Sequence, residues 1–548
     1  MEIKSVCLIG GGRMGRQIAL NAAIYGFKAS VYDLSEAVCE DVKVWADEYL
    51  AGRVKKGRMT QEQVDKVKGL FSVETDLKKA CEGVDCAIEA VLEREDVKRT
   101  VLGQLSDLLP EDAIIATNSS VMPSSKFAGD VKNPSRLCNL HYYNPALVMK
   151  FTEVVQGPHT SDETAQACVD FCNATGKKPV LLKKELPGFL GNYLYGSIQA
   201  PVKELVHEGV CTPHEVDTIM EVGFGNKMGY FRTSDLSGPG LSLDIMNNRW
   251  KKEGIKPLMY DFYQDLVKNG RMGRSCGHGF YDYDVDPKGA IPPQFIPTND
   301  SSANVPFTDI VSIAVIGNGP VADHIVSVAS AAGIAVTQAD GAQAFADAQL
   351  VIDATGEDLQ SKRTLFAELS RLNPADTILA TAAETVMSSQ LADVVTAPQR
   401  LCNFHIQHPV IDKKCIEVVQ SEHTSVATAR ACYELCLKLG AMPIWMKKEV
   451  PGFIGNYILS RLQSRARFMV HNGYCTFRDV DTSMEYGFNY KMGPFRLMDQ
   501  VGIDVHFAQL KKLYEETGEK PDMYDQLEQM VAEGHLGKKS GKGFYDYN

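Results

Sequence analysis

The 548 residues contain no Cys-x-x-Cys and no grouping of Cys and His at zinc-binding spacing, although 14 Cys are present. A structural zinc site and a thioredoxin-type redox pair are therefore not expected, and scattered free thiols fit a reducing, cytoplasmic setting. Cys168 and Cys172, four apart, read as one buried helical face rather than as metal ligands. No run approaches the length of uncharged apolar sequence that a membrane-spanning helix needs. The start, MEIKSVCLIGGG, lacks the basic-then-apolar order of a secretory signal. Positive charge is in deficit: 57 Lys and Arg stand against 69 Asp and Glu, a net charge of −12. That balance argues against a general nucleic-acid or membrane-surface binder. What remains is ordinary globular sequence, 44% apolar and 23% charged.

The chain repeats itself. VKNPSRLCNLHYYNPALVMKFTEVVQGPHT (131–160) and VTAPQRLCNFHIQHPVIDKKCIEVVQSEHT (395–424) agree at 15 of 30 positions, at an offset of 264. The same offset pairs PGFLGNYL with PGFIGNYI, GFGNKMGYFR with GFNYKMGPFR, and the two GFYDY segments. Before about residue 84 the offset becomes 307, so the second copy lacks 43 residues that the first carries at roughly 35–77. That extra stretch reads as two helices around the basic segment 53–58. Residues 284–306, rich in Pro and polar side chains, read as a linker. Within each copy, short β-branched runs alternate with helical pattern, the signature of a parallel sheet covered on both faces. From about Pro187 the pattern becomes helical, with Pro201 expected to interrupt or kink a helix.

The expected fold class is α/β plus all-α, a Rossmann domain followed by a helical domain, the pair duplicated. The expected boundaries are 1–184 (Rossmann, with the hairpin at about 35–77), 185–283 (helical), 284–310 (linker), 311–448 (degenerate Rossmann) and 449–548 (helical).

VCLIGGGRMG places Gly10, Gly12 and Gly15 in G-x-G-x-x-G spacing directly after a strand. A helix and a second strand ending at Asp33 follow. The first glycine allows the tight turn, the second lets backbone approach a pyrophosphate, and the third lets helix and strand pack closely. The anion then lies at a helix N-terminus. Asp33 is placed to bond ribose hydroxyls, and no Arg follows to receive a 2′-phosphate, so NAD is expected rather than NADP.

His141 and Glu153 lie 12 apart, each in a short apolar run. Oxidation of a secondary alcohol needs a base, which His supplies near neutral pH. A carboxylate on its other ring nitrogen would fix the tautomer. On spacing alone, a core His and an unrelated Glu explain the pair as well. The combination of TNSS, H-x-x-N-P, Glu twelve after the His, PGF-x-x-N and MG-x-F-R, however, resembles the L-3-hydroxyacyl-CoA dehydrogenase family, 3-hydroxybutyryl-CoA dehydrogenases included. The resemblance covers 1–284 and, in degenerate form, 311–548.

The resemblance implies reversible hydride transfer between C3 of an S-configured acyl-CoA and NAD. His141 would be the base and Glu153 its orienting partner, with Ser120 and Asn192 bonding substrate oxygens. Glu93 and Lys98 match cofactor-contacting positions; Asn118 and Asn144 match the nicotinamide side. Arg53, Lys55, Lys56 and Arg58 would meet CoA phosphates, although for any single one a solvated surface is the simpler reading. Where the family has two Phe and then Val-Pro before the Met, this chain has YYNPALVM, and MGYF at 228–231 replaces MGPF. Those changes lie near the expected acyl pocket, around Ala146 and Leu147, and leave the acyl group open.

Copy 2 keeps His405, Glu417 and Asn456 at the matching positions, together with Glu357 and Lys362. Ser120 becomes Glu384, Asn118 becomes Ala382, Asn144 becomes His408, and Asp323 replaces Arg16. A carboxylate where donors are needed, and no hairpin, make copy 2 a structural partner: an intramolecular pseudo-dimer, with further homo-oligomerisation open. Two other readings stand beside this one. One is the same chemistry on a CoA-free 3-hydroxy acid; the other is a non-catalytic NAD- or CoA-binding protein.

Overall fold

A computed structural model describes residues 2–292, 305–406 and 415–547. In copy 1 the strands are β1 (Ser5–Ile9), β2 (Lys28–Tyr32), β3 (Phe71–Glu74), β4 (Cys86–Glu89), β5 (Ile114–Thr117), β6 (Leu137–Tyr142), β7 (Phe151–Val155) and β8 (Lys178–Leu182). They form one sheet in the order β3-β2-β1-β4-β5-β6-β7-β8, parallel except for the antiparallel pair β6/β7. The strand order reverses beside β1, between β2 and β4, which is where a doubly wound sheet opens a crevice at its carboxyl ends.

Alternation along the strands builds two cores. Val6, Leu8, Ala29, Val31, Ile88 and Ala116 enter one; Cys7, Ile9, Ala87 and Ile115 enter the other. Burial on both faces explains why these strands read as unbroken apolar runs. Each fully buried Leu or Ile contributes roughly 1.5–3 kcal/mol.

The stretch particular to copy 1 forms helices Glu36–Lys55 and Gln61–Leu70, then β3, so it adds an edge strand as well as a hairpin. Ser35 caps the first helix by accepting from Val38 N–H, and a Thr60/Gln63 capping box starts the second. Copy 2 has the sheet β10-β9-β11-β12-β13-β14-β15, where β9 is Ser312–Ile316, β10 Ala335–Ala339, β11 Leu350–Asp353, β12 Ile378–Thr381, β13 Leu401–Ile406, β14 Cys415–Val419 and β15 Met442–Met446. Without the extra stretch, β10 is the edge.

The boundaries expected from sequence separate a sheet domain from a helical domain within each copy; the compact units regroup these parts across the copies. One unit joins residues 1–195 with 463–548, the other is 196–462. Helix Phe189–His207 starts in the first and ends in the second, and helix Phe453–His471 does the reverse. Each unit therefore combines the sheet of one copy with the helical part of the other. In the first, helix Phe477–Gly487 packs on β7 and β8, with Gly487 so close to Phe151 that a Cβ would lie 2.8 Å from its ring. In the second, Trp445 N–H donates to Glu215 Oε1 at 3.1 Å, and Lys447 N–H donates to the Val210 carbonyl at 3.0 Å.

Pro201 does not interrupt its helix, contrary to expectation. A proline inside a helix costs about 3 kcal/mol. Leu194, Ile198, Val202 and Leu205 on the same helix are all buried, and together they outweigh that cost. Among the described residues no helix is long and apolar enough to cross a membrane.

Candidate active site

The glycine turn closes between β1 and helix Arg13–Ile24. Gly10 has φ +111, and a Cβ there would meet the Ala90 carbonyl oxygen at 2.7 Å. At Gly15 a Cβ would lie 1.9 Å from the Gly10 oxygen, so only glycine lets helix and turn meet. At Gly12 a Cβ would meet nothing within 4 Å, and Gly12 caps the helix without a side-chain bond. The helix amides therefore face open space that a pyrophosphate fits. Asp33 at the end of β2 accepts Gly11 N–H (2.8 Å) and Ser35 N–H (3.0 Å), which aims its carboxylate at the turn.

Behind the turn lies an ionic group that sequence reasoning captured only in part. Lys98 is 1% exposed, and its ammonium donates to both oxygens of buried Glu89, at 2.8 and 3.0 Å. Glu93 approaches the same ammonium at 3.1 Å and accepts the Ser119 hydroxyl; Thr117 donates to Glu89 at 2.6 Å. Lys98 thus holds Glu93 in place from beneath rather than standing at the surface itself. Glu89 was missed, although a carboxylate ending the apolar run CAIE is the kind of signal that marks a buried partner.

His141 and Glu153 are direct cross-strand partners in β6/β7. Opposed residues of an antiparallel pair share a face, so a spacing of 12 becomes a contact. His141 Nδ1 lies 2.6 Å from Glu153 Oε2, with both side chains buried. Glu153 Oε1 accepts Gly191 N–H (2.9 Å) from the first turn of helix Phe189–His207, the turn that carries Asn192. Tyr143 donates its hydroxyl to Glu153 Oε2 at 3.1 Å. An imidazole held by Nδ1–H on a carboxylate keeps its Nε2 lone pair for a substrate proton.

Asn118 accepts Tyr142 N–H at 2.8 Å and is thereby tied to β6 beside His141, while Asn144 is exposed. Ser120 and Asn192 are partly exposed, and among the described residues no hydrogen bond ties either side chain to the dyad. On the hairpin, Lys55, Lys56 and Arg58 are exposed and Arg53 is half-buried. Ala146, expected at the acyl pocket, is fully buried in the core, and Leu147 packs against the same core. Lys177, also missed, donates to the Ala146 and Met149 carbonyls, and burial lowers its pKa to about 8. Tyr230 and Phe231 of MGYF are likewise buried.

In copy 2, His405 Nδ1 lies 2.7 Å from Glu417 Oε2, again across an antiparallel pair. Glu417 Oε1 accepts Ile454 and Gly455 N–H, from the turn that carries Asn456. The surroundings differ. His405 Nε2 is buried with no hydrogen-bond partner among the described residues. Burial opposes a charge on His405, yet Glu417, Glu384 and Glu357 together hold its pKa above the ordinary value. Burial, and then the charge of Glu357, push the Glu384 carboxyl up, with His405 opposing. Glu357 is spent on the Glu384–Thr385 turn, accepting Glu384 and Thr385 N–H at 3.0 Å each and the Thr385 hydroxyl at 2.9 Å. Asp353 replaces Glu89 with a shorter arm and takes Lys362 at 2.5 Å. Pro320, the first residue of its helix, has no N–H to offer an anion. His408 lies outside the described residues.

The NAD-binding domain of 3-hydroxyacyl-CoA dehydrogenase matches residues 5–186 and 338–450, and the C-terminal domain of the same family matches 188–283 and 452–547. A 3-hydroxyadipyl-CoA dehydrogenase of Escherichia coli is 26% identical over 529 residues, 95% of each chain. A probable 3-hydroxybutyryl-CoA dehydrogenase of Bacillus subtilis is 32% identical over 287 residues, 52% of this chain and 99% of its own. The crystal structure of an Escherichia coli 3-hydroxybutyryl-CoA dehydrogenase shares the fold, with TM-score 0.70 and 22% identity over 97% of this chain and 100% of that one. The chain belongs to the 3-hydroxyacyl-CoA dehydrogenase family and is an NAD-dependent oxidoreductase built as a duplication.

Proposed function

We propose that the chain oxidises the C3 hydroxyl of an (S)-3-hydroxyacyl-CoA, reversibly, at one site in copy 1, and that copy 2 serves as an intramolecular pseudo-dimer partner. The buried contact of 2.6 Å between His141 and Glu153 carries this reading. Bound NAD supplies the hydride acceptor. His141 Nε2 takes the hydroxyl proton, and Glu153 keeps the ring in the required tautomer and stabilises the imidazolium. Ser120 and Asn192 hold the substrate oxygens where charge develops on C3–O. Glycines 10, 12 and 15 with the helix amides hold the pyrophosphate, and Asp33 the ribose. Glu93, braced by Lys98, together with Asn118 and Asn144, holds the nicotinamide end.

The basic hairpin, Arg53, Lys55, Lys56 and Arg58, supports CoA over a CoA-free acid. So does the relative named for a hydroxyacyl-CoA that aligns over 95% of both chains. Support for the partner role of copy 2 lies in the first unit, where Phe488 packs edge-on against Tyr143 (5.6 Å) and stacks on Tyr195 (4.6 Å). Residues 463–548 thereby wall the first turn that carries Asn192. The test follows NADH consumption by the full chain with acetoacetyl-CoA and with acetoacetate. Turnover of the thioester alone supports the reading; preference for the free acid, or NADH binding without turnover of either, contradicts it.

A further inference from the structure

Tyr143 stands where the family resemblance implies Phe, and its hydroxyl is not idle. It donates to Glu153 Oε2, the oxygen that His141 also uses. It lies against the backbone N–H of Asn192. It fills the space above Gly191 so closely that a Cβ there would fall 2.0 Å from the hydroxyl oxygen. Its ring packs on Phe151 at 5.0 Å and on Phe488 at 5.6 Å. One hydroxyl therefore touches β7 and the first turn of helix Phe189–His207, from its own place just beyond β6.

We infer that Tyr143 is a positioning residue of this site: its hydroxyl locks the Glu153 carboxylate between His141 and the turn that bears Asn192. The inference rests on the His141/Glu153 reading above. With Gly191 N–H on Oε1 and Tyr143 on Oε2, the carboxylate plane is fixed from both ends and one lone pair is aimed at Nδ1. Glu417 in copy 2 has backbone donors on Oε1 only, and among the described residues His405 alone on Oε2. The matching residue, Gln407, lies outside the described residues. Sharing Oε2 between two donors also weakens its hold on an imidazolium, so the hydroxyl sets how readily His141 gives up a proton. Among the described residues, the titratable groups facing Glu153 are His141 in β6, Tyr143 just beyond it and Cys475 ahead of helix Phe477–Gly487; helix Phe189–His207 faces it with the Gly191 amide. Burial and then the charge of Glu153 push Tyr143 up, and burial and then the charges of Asp479 and Glu153 push Cys475 up, so neither ionises in the working range.

The test is Tyr143→Phe in the full chain, beside wild type and His141→Ala, assayed against pH in the oxidative direction. Removal of the hydroxyl is expected to lower kcat about fivefold. KM for NAD should not change, and the acid limb of kcat/KM should move to higher pH, because an undivided Oε2 grips the imidazolium more tightly. An unchanged kcat with a stationary limb, while His141→Ala is inactive, overturns the role of Tyr143. A lowered kcat with a stationary limb marks a packing effect and overturns it as well. Full activity in His141→Ala overturns the dyad reading itself, and this inference with it. Gly191→Ala gives a second check: its loss should be smaller in the Tyr143→Phe background than in wild type. Equal losses contradict the coupling.

Discussion

Copy 1 and copy 2 hold the same histidine–glutamate pair on the same two strands, at 2.6 and 2.7 Å, and differ in what surrounds it. In copy 1 the nearby carboxylate Glu93 is bound to a buried ammonium. In copy 2 the counterpart Glu357 is turned to backbone amides, and Glu384 adds a second carboxylate near His405. A base must be neutral to accept a proton, and His405 is held toward its protonated form. The pair itself survives because a buried, hydrogen-bonded partner is costly to remove alone. A conserved pair is thus a statement about the strands, and only its neighbours make it a statement about chemistry.

The comparison is broken most easily at the carboxylates. Glu153→Gln should lower kcat roughly a hundredfold or more by offering His141 the wrong tautomer, whereas Glu417→Gln should leave kcat within about twofold. Steady-state rates with acetoacetyl-CoA decide it; equal losses would make both sites active. The lysines sharpen it next. Lys98→Met and Lys362→Met each leave a buried carboxylate unpaired and should each cost about 3–5 kcal/mol in denaturant unfolding. Only Lys98→Met should also weaken NADH binding, read by fluorescence titration, because only Lys98 braces Glu93.

An effect confined to acid pH separates the helical parts. His506 accepts a hydrogen bond from Arg467 at 2.9 Å, where copy 1 has Ser242 and Lys203. Burial and then the Arg467 charge lower the pKa of His506 to about 3. A folded-state value below the ordinary 6.5 means that its contribution is intact above pH 6.5 and is lost as pH falls toward 3. The loss is about 1.4 kcal/mol per pH unit across that window. His506→Gln, which keeps an acceptor for Arg467, should flatten the fall of Tm with acidification; an unaltered slope would show that His506 is not its source.

Much of this was legible in the sequence because it is written locally. The glycine turn, Asp33 and the alternating apolar strands depend on neighbours a few residues away. The His141/Glu153 spacing became a contact through one strand reversal. Three things were not legible. Lys98 is matched to a cofactor-contacting position by the resemblance, but its partner Glu89 is identified only by burial. Ala146 looked like a pocket residue, yet the chain turns it into the core beneath Lys177. The grouping of 463–548 with 1–195 depends on packing between segments hundreds of residues apart, which no periodicity records.

The central claim is that one of two like dyads carries the chemistry. NADH oxidation at saturating acetoacetyl-CoA, measured for wild type, His141→Ala and His405→Ala, tests it directly. The account predicts that His141→Ala abolishes turnover while His405→Ala retains the wild-type rate. Loss of about half the rate in each variant would contradict it.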